Sequence, residues 1–207
     1  MLAVARRELE HRKRKTMVDV RLLLGDVTAL DAVLGEVPKD GFDVIICSNA
    51  FVLLPDPTGV AAHWRRYLRP GGLLVVDIPH EDNMRSGRVM GGVAARLGKR
   101  WEAERSWIRG KSTFTDVLEC AGYEVERVDE LEKVVGRREV FYTADEADGQ
   151  FDYVVRSDLA NSGFMEEIGK DVKATELFRE EFVKMAGQDG RVAVVEANYV
   201  YLARRRS

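Results

Sequence analysis

The run His80-Glu81-Asp82 joins an imidazole to two carboxylates within three residues. An imidazole can take or give a proton near neutral pH, and an adjacent carboxylate can orient it. His80 is therefore a candidate general base, with Glu81 or Asp82 as its orienting group. The same residues would also suit a solvated loop with no chemistry. Trp101 and Trp107, with Phe141 and Tyr142 further along, offer aromatic surface that could line a substrate pocket or pack a mobile cover. Cys47 and Cys120 make neither a spaced metal motif nor a disulfide framework, and Cys47 ends an apolar run where packing is its expected role. No residue set suggests a metal.

These groups need elements to position them. Residues 44–47 are short, apolar and β-branched, as in a strand buried on both faces, and they stop at the small polar pair Ser48-Asn49. Residues 58–68 place Val60, Ala61, Trp64 and Leu68 at helical spacing. Arg69-Pro70-Gly71-Gly72 reads as a tight turn that ends this helix, and residues 73–78 read as a second buried strand. Strand, helix, turn and strand form one right-handed parallel crossover. It delivers Ser48-Asn49 and His80 to the carboxyl edge of the sheet, where open α/β folds bind ligands.

Residues 1–9 read as a helix with Leu2, Ala5 and Leu9 on one face. Residues 112–121 read as a helix capped by Ser112 or Thr113 and closed by Gly122. Residues 123–128 alternate as a strand, and residues 192–202 form a last strand antiparallel to it. Residues 139–190 read as an insertion carrying Phe141, Tyr142, Phe151, Tyr153 and Phe164. They include an amphipathic helix over 175–185 with Leu177, Phe178, Phe182 and Met185 inward. A connection this long suits a lid within one domain spanning residues 1–207.

"FDVIICSNAFVLLPDP" followed by "WRRYLRPGGLLVVDIP" resembles the fourth and fifth strand region of class I S-adenosylmethionine (SAM)-dependent methyltransferases, most closely the small-molecule, type 11-like branch. The resemblance implies a Rossmann-like α/β fold with strand order 3-2-1-4-5-7-6, SAM as methyl donor and a small-molecule acceptor. Met1 to Leu9 then resembles the helix after the family's second strand, and residues 21–26 its third strand. The first two strands and their Gly-rich turn have no counterpart here, so the expected fold is that of a methyltransferase truncated at its N-terminus, and Gly87, Gly91 and Gly92 do not open a substitute turn. By resemblance, Gly25, Asp26 and Val27 hold the adenine, Asp26 accepting from its amine and the Val27 backbone meeting the ring edge. Asp26 could equally cap a helix. Ser48, Asn49, Ala50 and Phe51 complete the cofactor side, His80 is the catalytic residue, and Trp107, Phe141 and Tyr142 face the substrate. A methyltransferase-like remnant or interaction module without catalysis is the alternative.

The chain has 207 residues, 45% hydrophobic and 32% charged, with a net charge of −3. That balance suits a globular protein and gives no basic field for nucleic acid. Arg12 to Lys15 and Arg204 to Arg206 are the basic clusters, and both suit solvated element ends. No run approaches a membrane span and no signal peptide opens the chain, so a cytoplasmic setting is expected. With two strands missing, exposed sheet edges would favour a homodimer.

Overall fold

The computed structural model describes residues 3–5, 7, 9, 20–83, 85–99, 101, 107–131, 138–157 and 163–207. Residues 3–5, 7 and 9 are helical, as their apolar spacing predicts. The basic cluster at 12–15 lies outside the described residues. In chain order follow β1 (Phe42–Cys47), α1 (Pro57–Arg65), β2 (Leu68–Pro79), α2 (Arg85–Arg96), α3 (Lys111–Cys120) and β3 (Tyr123–Leu131). Then come β4 (Arg138–Thr143), α4 (Ala147–Arg156), α5 (Gly163–Ile168), α6 (Val172–Met185), β5 (Arg191–Glu196) and β6 (Asn198–Arg205).

The main sheet has the order β1-β2-β6-β3. β1 runs parallel to β2, with Val44 opposite Leu73 and Cys47 opposite Val76, while β6 is antiparallel to both β2 and β3. This is the expected 4-5-7-6 neighbour order, with the parallel crossover carried by α1. One face is covered by α1 and α3, where Val60, Trp64, Phe114 and Leu118 meet Leu74, Val76, Ile78 and Tyr201. Asp56 caps α1 by accepting from the Gly59 N–H at 3.1 Å, and Pro57 supplies the fixed φ of the first turn.

Four expectations change. Residues 20–24 form no strand, and Leu24 is 84% exposed. A lone extended segment has no ladder to join, and among the described residues no strand lies beside it. Pro70-Gly71-Gly72 is not a turn ahead of the strand but a bulge inside β2. Two positions along β1 (42 to 44) span five along β2 (68 to 73). Gly71 has φ +70°, and a Cβ on Gly72 would stand 2.9 Å from the Arg69 carbonyl oxygen and 3.0 Å from that of Phe42, so both positions require glycine. The helix over 112–121 begins one residue earlier, at Lys111, and its cap position is Gly110 rather than Ser112 or Thr113. The last strand is two strands: β5 pairs with β4 in a separate two-stranded sheet, and β6 enters the main sheet.

The break between β5 and β6 serves the sheet edge. At the junction, the Ala197 carbonyl accepts from the His80 N–H at 2.9 Å, and the Val195 N–H donates to the Asp82 carbonyl at 3.1 Å. The loop that leaves β2 is thereby fastened to the start of β6. A second apolar cluster gathers Val89, Met90 and Val93 of α2 with Phe151 of α4, Phe178 and Phe182 of α6, and Val192 of β5. The inward set expected for the helix over 175–185 is the set that packs here. This second cluster stands beside the carboxyl ends of the main sheet.

Candidate functional site

The carboxyl ends of the central strands are tied by one carboxylate. Asp77 is 8% exposed in an otherwise apolar strand, and a buried charge is tolerated only with partners. It accepts from the Asn49 N–H at 2.6 Å, from the Ser48 hydroxyl at 3.2 Å and from the Asn198 side-chain amide at 3.3 Å. Asn198 also donates to the Asn49 side-chain oxygen at 3.0 Å. Asn49 is held at φ +54°, a left-handed conformation that this set of bonds stabilises. The ends of β1 and β2 and the start of β6 therefore share one polar knot, with Ser48 and Asn49 exposed above it.

The Asp26 loop is fastened to α1. The Trp64 indole N–H donates to the Val27 carbonyl at 2.8 Å, and the Leu30 N–H donates to His63 Nε2 at 3.0 Å. A Cβ on Gly25 would lie 2.2 Å from Val33 Cγ2, so glycine lets the loop close on that side chain. Asp26 Oδ1 accepts from both the Thr28 hydroxyl (2.7 Å) and the Thr28 N–H (2.8 Å), which holds its carboxyl below the usual aspartate range. Among the described residues its Oδ2 and the neighbouring Val27 N–H have no hydrogen-bond partner, an acceptor and a donor on adjacent residues. That pattern complements an adenine edge, whose amine donates and whose ring nitrogen accepts.

A cavity of about 140 Å³ opens beyond β2, between its exit loop and the second cluster. Pro79, His80 and Glu81 form one wall, α2 contributes Arg88, and Trp101 and Tyr142 supply aromatic surface. His80 Nδ1 accepts from the Asp82 N–H at 3.0 Å. In the neutral imidazole the proton then sits on Nε2, which makes His80 a donor toward the cavity. Neither carboxylate orients it in the expected way. Asp82 pairs with Arg85 at 2.5 Å, and Glu81 accepts from the Tyr199 hydroxyl at 2.6 Å while standing 3.6 Å from His80 Nδ1.

The other expected site residues divide. Ser48, Asn49 and Ala50 lie at the strand end, His80 and Tyr142 line the cavity, and Gly25, Asp26 and Val27 lie in the loop fastened to α1. Phe51 does not face the site: its ring is fully buried between Trp64 (centroids 5.3 Å) and Phe114 (5.1 Å). Trp107 packs against Phe114 in the main core at 6.1 Å, and Phe141 is an exposed residue outside the cavity lining. Aromatic rings near a site are drawn into whichever apolar cluster is nearest, and sequence spacing does not say which that is.

The model of a methyltransferase domain family matches residues 1–74. No curated protein matches the sequence. The fold is similar to the crystal structure of a protein assigned as a methyltransferase from Bacillus halodurans C-125, at 18% identity and TM-score 0.53, covering 100% of this chain and 79% of that one. It is also similar to the MccD protein, at 10% identity and TM-score 0.50, covering 99% of this chain and 75% of that one. An S-adenosylmethionine-dependent methyltransferase from Mesorhizobium loti aligns at 16% identity and TM-score 0.45, over 96% of this chain and 75% of that one. The chain has a Rossmann-like α/β fold like that of the Bacillus halodurans protein, and its first 74 residues match a methyltransferase domain family.

The polar knot went unread in the sequence, although Asp77 gave a signal. It is the one charge in Leu73-Leu74-Val75-Val76-Asp77-Ile78, a strand buried elsewhere. Arg88 and Tyr153 of the cavity also went unread, because their spacing is ordinary for solvated helix faces. Burial, with the Asp77 carboxylate nearby, pushes the Cys47 thiol up, so Cys47 stays a protonated packing residue. Among the described residues no group of side chains could hold a metal ion.

Asp77→Ala is expected to cost about 2–3 kcal/mol in urea unfolding, because it strands the Asn49 N–H and two side-chain donors, and Asp77→Asn is expected to cost less. Removing the negative charge lowers the Cys47 thiol pKa. In Asp77→Asn, alkylation of Cys47 by iodoacetamide should therefore rise at lower pH than in the parent. An unmoved profile with unchanged stability would show that Asp77 does not govern the strand ends.

Proposed function

We propose that this chain binds SAM across the Asp26 loop and the Ser48–Asn49 strand end and transfers its methyl group to a small molecule held in the neighbouring cavity. One observation carries the reading. The free Asp26 Oδ2 and Val27 N–H offer an adenine-shaped acceptor and donor in a domain whose N-terminal third matches a methyltransferase family. SAM, when bound, supplies an electrophilic methyl on a sulfonium leaving group. The residues of this chain then do the aligning, which supplies most of the acceleration in a displacement of this kind. The knot around Asp77 fixes Ser48 and Asn49 on the donor side. His80, with Nε2 protonated, donates to the acceptor and orients it rather than taking its proton. Residues 139–190 act as the lid whose Tyr142 and Tyr153 close the cavity from above.

Asp26→Ala is expected to weaken SAM binding in calorimetry by about 1–2 kcal/mol, roughly five- to thirtyfold. Because the Thr28 bonds depress the Asp26 carboxyl, its acceptor stays ionised on acidification. The parent affinity should be flat from about pH 8 to pH 5, the carboxylate being lost only below the ordinary aspartate value of about 3.9. Equal affinities for parent and Asp26→Ala would remove this loop from the site.

The partner of the sheet edge is, on this reading, a second copy of the chain. Among the described residues β1 pairs only with β2, and its Val44 and Ile46 are 45% and 71% exposed. An apolar edge with unpaired backbone groups favours strand-to-strand association. Ile46→Lys is expected to shift sedimentation at micromolar concentration from dimer to monomer. A parent chain that sediments as a monomer would contradict the pairing.

A further inference from the structure

The cavity lining contains several polar groups, and many of them are engaged. Ser86 donates to the Gln150 side-chain oxygen at 2.6 Å, and the Ser157 hydroxyl donates to the Val154 carbonyl at 2.9 Å. The Asn83 side-chain amide reaches the Ala197 carbonyl at 3.5 Å. Arg85 spends its guanidinium on Asp82, with Nε at 3.0 Å and Nη2 at 2.5 Å from one carboxylate oxygen. Glu81 is held by the Tyr199 hydroxyl, and Glu196 is exposed at the end of β5.

Arg88 differs from all of these. It is half-buried in the cavity wall one helical turn after Arg85, and among the described residues it has no carboxylate partner. Among the described residues its one hydrogen bond runs from Nη1 to the Glu81 carbonyl at 3.3 Å, which leaves four of a guanidinium's five N–H donors without a partner there. A guanidinium kept beside Trp101, Ile108, Tyr142 and Val194 is partly desolvated. Such a group gains most from a planar anion that accepts two parallel N–H bonds.

We propose that Arg88 is the residue that selects the methyl acceptor, and that the acceptor is a small molecule with a planar apolar body and a carboxylate. The proposal rests on the reading of this cavity as the acceptor site. The apolar body lies against Trp101 and Tyr142, and the carboxylate pairs with the Arg88 fork. His80 Nε2, also in the cavity lining, donates to a second polar group of the same molecule. Glu81 and Glu196 are the adverse charges. The first is occupied by Tyr199, and the second faces solvent, where screening weakens it.

The test uses benzoate, benzamide and benzylamine as probes of one shape and three charges, titrated by calorimetry into the full chain and into Arg88→Gln. Benzoate is expected to bind at least about tenfold more tightly than benzamide, and Arg88→Gln to bring benzoate down to the benzamide level while leaving benzamide unchanged. Unchanged benzamide binding and an unchanged unfolding midpoint show that the variant is folded. Equal affinity for benzoate and benzamide, preference for benzylamine, or no binding of any probe overturns the proposal. A parallel SAM titration separates it from the methyltransferase reading. Arg88-dependent benzoate binding without SAM binding would overturn only the proposed activity. SAM binding without benzoate selectivity would overturn only the role of Arg88.

Discussion

The Asp77 carboxylate is the interaction on which the rest depends. A charge in the middle of a buried strand costs several kcal/mol unless it is fully bonded, so its partners are not free to move. Those partners are the two residues that leave β1 and the first residue of β6. Once they are fixed, the sheet's carboxyl edge has a set shape: Asn49 in a left-handed conformation and β6 starting opposite Pro79. The break at Ala197 then turns β5 away into its own two-stranded sheet. The same break gives the His80 loop its backbone partners.

Two apolar clusters follow from this edge. The first lies under the sheet and holds α1 and α3, with Phe51, Trp64 and Phe114 in edge-to-face contact. The second gathers α2, α4 and α6 against β5. The exit loop of β2 passes between them, and the cavity is the space they leave at that loop. Its chemistry is set by what the two clusters cannot absorb: an imidazole that donates and a guanidinium with spare donors. On the proposed reading the methyl donor lies at the Asp26 loop, which is tied to α1 through Trp64, and the strand end fixed by Asp77 aligns it with the acceptor.

The parallel crossover was legible because strands 44–47 and 73–78 are short, apolar and bounded by polar or glycine-containing segments, which leaves few alternatives. β3 was legible as a strand from its alternation, while its antiparallel pairing with the last strand came with the family resemblance. The Pro70-Gly71-Gly72 bulge was not, since proline and glycine signal a turn and a bulge equally well. Residues 20–24 carry a strand's composition, yet a strand exists only where a neighbour accepts its backbone bonds, and that is not local information. In the site, Asp26 was singled out by the family resemblance and His80 by its type and its position after an apolar run. Phe51 and Trp107 misled because an aromatic beside a polar motif can turn inward or outward. Arg88 was silent because its meaning lies in the carboxylate it lacks, which only the three-dimensional arrangement reveals.

The central claim is that the Asp26 loop and the Asp77-tied strand end form one site for the methyl donor. Hydrogen–deuterium exchange of the full chain, with and without SAM, tests it most directly. The account predicts slowed exchange in two separate stretches together, residues 25–28 and 48–51, with no change in the β4–β5 sheet. Slowing in only one stretch, or none at saturating SAM, would contradict it.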